Sequence, residues 1–190
     1  RASTIEDITE FAPSVFVRPR NGAEAARLSI RGSGLASLYQ GRGVQIMQNG
    51  IPITQADGEF EFQSIDPWLI NYASVFPGAN ALEYGASTFG GAINLVTPTG
   101  QTQKYTQIKG ERGSFDTWHS MVSGGQIFKN SDIFAAGSYF AQQGDRDQNK
   151  QYSVRFDGNA GYKSSESMSH RFYLAHTSSN AEIPGTLSMT

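Results

Sequence analysis

Five carboxylates fall in a stretch with no positive charge. Asp57, Glu59, Glu61, Asp66 and Glu83 lie between Gly43 and Gln103, where neither Lys nor Arg occurs. If this stretch is an extended loop, Asp57, Glu59 and Glu61 project to one side and Phe60 and Phe62 to the other, because successive side chains alternate. Oxygen donors grouped in this way suit a cationic ligand or a hard metal ion. They equally suit a solvated acidic loop, or partners for the basic residues upstream: Arg1, Arg18, Arg20, Arg27, Arg31 and Arg42.

Other chemistry is thinly represented. The histidines are His119, His170 and His176. On one strand face, His170 and His176 would stand about 20 Å apart, too far to share an ion. Gly32-Ser33-Gly34 begins a dinucleotide fingerprint but lacks its third glycine and the helix pattern that should follow. Asp145-Arg146-Asp147-Gln148-Asn149 opens like a calcium loop, yet Lys150 stands where the turn needs glycine. There is no cysteine, so disulfide scaffolds, thiolate metal sites and cysteine nucleophiles are excluded. A net charge of −2 provides no footprint for nucleic acid. Nothing in these patterns supports an enzyme.

The elements that would carry these residues are mostly strands and turns. In 190 residues, 17% are charged, 12% are aromatic and 21 are glycine, a balance that favours strands and turns. No apolar run approaches the ~20 residues of a membrane helix, and no signal peptide is evident, so a membrane role is open only through β-structure. Six of the seven prolines precede residue 100, which predicts short elements and loops there. Ser3 and Glu6 have capping-box spacing, Ile5, Ile8 and Phe11 share a face, and Pro13 ends the helix. A short apolar run, 14–17, leads to a loop at Asn21-Gly22. Residues 27–32 alternate as a strand ending in a glycine turn. Residues 44–53 predict a hairpin whose Asn49-Gly50 pair suits a type I′ turn. Two more strands are expected at 72–76 and 91–96, flanking the Gly-rich stretch 77–90. The composition changes at Thr97-Pro98-Thr99-Gly100, which marks a domain boundary.

Beyond it, residues 152–163 place apolar or small side chains at every even position and mainly polar ones at odd positions. Such a strand has one face in an apolar phase and the other in water or a polar lumen. Noisier segments surround it at 104–111, 115–128, 132–142 and 170–177. Segments of ~10 residues with weak alternation and turns of unequal length are the pattern of an outer-membrane β-barrel. A soluble antiparallel sandwich with one wet face is the alternative, and with it a soluble binding or adhesion module.

Several motifs share an order and spacing with one family: Leu28-Ser29-Ile30-Arg31-Gly32, Gln48-Asn49-Gly50-Ile51-Pro52, Ile65-Asp66-Pro67, Gly78-Ala79-Asn80-Ala81-Leu82-Glu83-Tyr84-Gly85 and Thr88-Phe89-Gly90-Gly91-Ala92-Ile93-Asn94-Leu95-Val96-Thr97. Together the chain resembles the TonB-dependent outer-membrane receptors, as a plug domain followed by the first barrel strands. The Gly78-Ala79-Asn80 and Val96-Thr97-Pro98-Thr99-Gly100 variants are similar to the ferric siderophore and ferric dicitrate branch. The resemblance implies a small mixed α/β plug over 1–100, then antiparallel strands of a transmembrane β-barrel over 101–190. About 22 strands would complete that barrel, against about five here. The chain is therefore expected to be an N-terminal piece of a larger receptor that begins after the TonB box. Gly85, Gly90 and Gly91 are expected to allow tight turns against a barrel wall.

The resemblance further implies a Gram-negative outer-membrane location, TonB of the inner-membrane energy-transducing complex as partner, contact with membrane lipid, and a ferric chelate as cargo without a resident cofactor. Strand one would run outward from about Gln103. Short external turns would follow at Gly113-Ser114, periplasmic turns at 129–131 and 164–167, and external loops at 144–151 and from Ser178. Ligand-facing candidates on three apical loops are Leu38, Tyr39 and Gln40; Gln55, Asp57, Glu59 and Gln63; and Trp68. Their aromatics and amides suit an amphipathic chelate. Pro77 replaces the basic residue usual before the glycine at Gly78, which leaves Arg31 as the candidate for a plug–barrel ion pair.

Overall fold

The computed structural model describes residues 5–9, 12, 15–19, 26–30, 32–33, 43–55, 60, 62–85, 88–144 and 149–182. The chain divides into two compact units, Arg1–Thr97 and Pro98–Thr190.

The first unit opens with a short helix, α1 (Ile5–Thr9), and an antiparallel pair, β1 (Val15–Pro19) with β2 (Ala26–Ile30), in which Val15 faces Ile30. The predicted capping residue Ser3 and the loop at Asn21-Gly22 lie outside the described residues. A second sheet has the order β4-β3-β6-β5, built from β3 (Val44–Gln48), β4 (Ile51–Pro52), β5 (Tyr72–Pro77) and β6 (Gly91–Val96). The β3–β4 hairpin turns at Asn49 (φ 56°) and Gly50 (φ 80°), the positive pair that a type I′ turn requires. β3 and β6 run parallel, so the chain between them must cross over, whereas β5 and β6 are antiparallel.

Both faces of this sheet are covered. Val44, Ile46, Ile93 and Leu95 join Leu28, Ile30, Phe60, Phe62 and Ile65 in the main core. On the other side, Met47 and Ala92 pack with Ala81. Ala81 belongs to a 3-10 helix, Gly78–Tyr84, which fills what the sequence presents as a plain Gly-rich connection. Two of the glycines that follow lie close to other parts of the first unit. A Cβ on Gly90 would lie 2.5 Å from Ser33 Oγ, and one on Gly91 (φ 148°) would lie 2.6 Å from the Phe76 carbonyl. Gly85 (φ 124°) is needed for its dihedral alone, since nothing stands within 4 Å of its Cβ position.

The second unit is one antiparallel meander in the order β11-β10-β9-β8-β7. Its strands are β7 (Gln107–Gly113), β8 (Thr117–Ile127), β9 (Ser131–Gln142), β10 (Gln151–Lys163) and β11 (Ser169–Ala181). Two boundaries differ from expectation. The first strand starts at Gln107, not near Gln103, because residues 98–103 fold back onto the sheet. The last strand continues past Ser178, where a loop was expected, since pairing with β10 persists to Ala181 opposite Gln151. Ser178, Ser179 and Asn180 carry no strand signal of their own, and the ladder alone holds them.

Candidate functional site

Among the apical candidates, Gln55, Gln63 and Trp68 fall within the described residues. The chain leaving β4 stays beside β3 as far as Thr54. The Ile53 amide donates to the Ile46 carbonyl at 3.0 Å, and Thr54 Oγ1 accepts from the Ile46 amide and from Gln45 Nε2, each at 3.1 Å. Gln55 follows immediately and is exposed. Downstream, Phe60 and Phe62 are buried edge-to-face, ring centroids 4.7 Å apart. Phe62, Ile65 and Leu69 then anchor the segment at helix-like intervals, all at or below 4% exposure. Two 3-10 turns, Phe62–Ser64 and Pro67–Leu69, carry Gln63 and Trp68. Both side chains are half-buried, backed by those anchors.

Asp66 explains why the second turn forms. Its Oδ1 accepts from the Trp68 amide at 2.9 Å, while Pro67 fixes the first turn position. Asp66 is buried as this cap, so it is not a free donor to a cation. Glu83 is also engaged: its carboxylate accepts from the Tyr84 hydroxyl, which raises that phenol above its ordinary pKa. The acidic run is therefore not a five-donor site. Asp57, Glu59 and Glu61 lie outside the described residues, as do Leu38, Tyr39, Gln40 and Arg31. Among the described residues, no three His, Asp or Glu side chains converge on a point that could hold a metal.

In the second unit the faces of the strands are decisive. Along β10, Tyr152, Val154, Phe156 and Tyr162 are 44–52% exposed, whereas Gln151, Ser153, Arg155 and Asn159 are at most 7% exposed. Apolar side chains point out and polar ones point in. A sandwich would do the reverse: leaving four such half-exposed side chains in water forgoes roughly 3–6 kcal/mol, about half of the 1.5–3 kcal/mol that full burial of each would bring. β9 repeats the outward set with Ile133 and Tyr139, while its inward face mixes Asp132 and Ser138 with the buried Phe134 and Phe140. No helix among the described residues is long and apolar enough to cross a membrane.

The inward face holds a polar cluster that the sequence did not announce. Arg171 donates to both oxygens of Asp132, at 2.8 and 2.7 Å, and from the same Nη1 to Asn159 Oδ1 at 2.7 Å. Asp132 and Arg171 face Gly161 from either side in the register. The guanidinium crosses above that glycine, whose Cβ would lie within 2.7 Å of Asp132 Oδ2. Knowledge of the three-strand register would be needed to find this cluster. The first unit has a smaller equivalent: Asn49 Nδ2 donates to Thr97 Oγ1 and the Thr97 amide to Asn49 Oδ1, both at 2.9 Å.

Residues 1–92 match the TonB-dependent Receptor Plug Domain family. The chain carries a TonB-dependent receptor plug domain. A probable TonB-dependent receptor of Bordetella pertussis, BfrD, is 27% identical over 128 residues, 66% of this chain and 16% of that protein. Two solved structures share the fold. The siderophore receptor PirA from Acinetobacter baumannii has a TM-score of 0.66 and 16% identity, over 92% of this chain and 29% of PirA. The copper transporter OprC has a TM-score of 0.72 and 15% identity, over 95% of this chain and 28% of OprC. The chain thus spans less than a third of the length of these relatives. The likeness to these two structures takes in the antiparallel meander as well as the plug, since it extends over more than nine-tenths of the chain.

Proposed function

We propose that the protein is part of a TonB-dependent outer-membrane receptor that takes up a ferric siderophore or ferric carboxylate complex in a Gram-negative bacterium. The observation that carries this reading is the pairing of a plug domain with a strand, β10, that exposes its apolar side and buries its polar one. A bilayer would meet the outward face, and a plugged, polar lumen the inward one. Cargo would bind between the plug's apical loops and the barrel's external loops, and TonB would supply the work of opening. The receptor binds and gates; it makes and breaks no covalent bond.

We assign residues 1–100 to the plug and 101–190 to the first barrel strands. Leu38, Tyr39, Gln40, Gln55, Asp57, Glu59, Gln63 and Trp68 are the proposed ligand-facing set. Trp68 and Gln63 are the best supported, because a buried apolar row holds their turns in place while leaving the side chains half-open. Arg31 remains the proposed plug side of an ion pair with the barrel. Asp132 is already engaged with Arg171, so Arg31 must find a different carboxylate. The siderophore receptor among the structural neighbours supports an iron chelate, and the copper transporter makes copper the first competing cargo to test.

Tryptophan fluorescence of the complete receptor in detergent tests this reading. The panel comprises ferric chelates, copper(II), a cobalamin and oligosaccharides. Saturable quenching by one ferric chelate, weakened by Trp68→Ala or Gln55→Ala, is expected. Quenching by another cargo alone would retain the fold and discard the iron assignment.

A further inference from the structure

The boundary residues Thr97-Pro98-Thr99-Gly100 have the composition of a flexible linker, yet four of the six residues from Pro98 to Gln103 are bonded to the strands of the second unit. The Pro98 carbonyl accepts from Asn159 Nδ2 at 2.9 Å. The Gly100 amide donates to Asp132 Oδ1 at 3.1 Å, and Gln101 Nε2 donates to Asp132 Oδ2 at 3.0 Å. Gln103 Nε2 reaches Ser123 Oγ on β8 at 2.8 Å. Between these points the chain is internally tied: the Thr99 amide donates to Thr102 Oγ1 at 2.8 Å, and the Thr102 and Gln103 amides donate to the Thr99 carbonyl.

The wall is shaped to receive this segment. A Cβ on Gly125 of β8 would strike the Gln103 carbonyl and lie 2.8 Å from Gly100 Cα. A Cβ on Gly100 would strike the Ile133 carbonyl and lie 2.7 Å from the Gln126 carbonyl. Two glycines thus let backbone lie directly on backbone. Asp132 is 1% exposed and its two oxygens accept from Gly100, Gln101 and both Arg171 nitrogens, which fills a carboxylate's acceptor capacity. Arg171 and Gly161 belong to the same device: the arginine neutralises the buried carboxylate, and the absent side chain at 161 lets it cross.

We infer that residues 98–103 are a seated strap. They move with β8–β11 and permanently cover the inward face of β8–β10 at the end where residues 128–130 turn. No cargo passage runs over that stretch of wall, and Asp132, Asn159 and Arg171 are its positioning residues. The passage statement rests on the receptor reading proposed above; the strap itself does not.

Hydrogen exchange of the complete receptor in lipid, followed by mass spectrometry, tests the strap without any substitution. The amides of Thr99, Gly100, Thr102 and Gln103 are expected to exchange as slowly as those of β8 and β9, with or without cargo. Exchange at the unfolded-chain rate would overturn the inference. A nitroxide on Thr102→Cys gives a second view, in receptor cleared of any cysteine outside these 190 residues, which hold none; Thr102 is exposed. Its spectrum should be immobilised, and should gain a mobile component on adding Gln101→Ala or Asp132→Asn. An immobile label that neither substitution loosens would remove Asp132 from the role. Cargo quenching measured on the same samples separates the two proposals. Loss of quenching with a protected strap refutes the receptor reading alone, whereas retained quenching with an unprotected strap refutes the strap alone.

Discussion

Replacing Phe156 by lysine distinguishes a lipid-facing strand from a water-facing one by the size and sign of the effect. Phe156 stands near the middle of the thirteen-residue β10, 44% exposed on the outward side, opposite Gly137 on one neighbour and His176 on the other. In a bilayer the substitution removes an aromatic side chain worth about 1.5–3 kcal/mol of transfer energy. It also places an ammonium near the hydrocarbon centre, at a cost of about 2–4 kcal/mol. The two add to roughly 4–7 kcal/mol, enough to unfold many domains whose whole stability is about 5–15 kcal/mol. On a surface in water the same change should fall within about ±0.5 kcal/mol. Urea unfolding of the complete receptor from lipid vesicles, with Ser153→Ala on the inward side as a control, measures the difference. The control should lose only about 0.5–1.5 kcal/mol, one hydrogen bond. Were Phe156→Lys as stable as the parent in lipid, the outward face would not meet the bilayer and the barrel argument would fail.

Asn49→Ala should destabilise the first unit by about 2–4 kcal/mol, since it forces a left-handed backbone on alanine and removes the side-chain bonds to Thr97; Asn49→Gly should lose less, and urea unfolding compares them. Gly91→Ala combines a φ of 148° with a Cβ lying 2.6 Å from the Phe76 carbonyl, and should leave the first unit sensitive to protease in folded receptor. Asp66→Ala should lower stability by about 0.5–2 kcal/mol through the lost cap, redden Trp68 emission and weaken cargo quenching, while Asp66→Asn keeps most of each.

Local chemistry was the legible part. Asn49-Gly50 announced its hairpin because few residue pairs tolerate two positive φ angles, and the alternation in 152–163 announced β10 because only one side could be apolar. The parallel pairing of β3 with β6 was not legible. Residues 44–47 are all buried, so their pattern carries no period, and the partner strand lies more than forty residues downstream. The alternation also left open which phase each face would meet. Exposure resolved that: Ser153 is hidden and Val154 is not. Asp66 shows the opposite difficulty. Read as one of five carboxylates it suggested a ligand for cations, and only the backbone placed it as the cap of its own turn.

The cluster around Asp132 shows what a single sequence withholds. Asp132, Gly161 and Arg171 are ordinary residues on three different strands, and none belongs to a motif. Their meaning comes from register: shifting β10 by one residue would bring a side chain from position 160 or 162 between the charges and turn the glycine away. The same register ties up the charged side chains at this end of the wall. Asp132 and Arg171 neutralise each other, and Asn159 is bonded to both Arg171 and the Pro98 carbonyl, so these three side chains are committed to one another and to the strap. Residues 43–97 of the first unit contain no basic residue. If the receptor reading above holds and its cargo is an anionic chelate, Lys and Arg contacts are expected from barrel loops and not from this acidic stretch. A co-structure in which plug residues alone neutralise an anionic cargo would refute that inference.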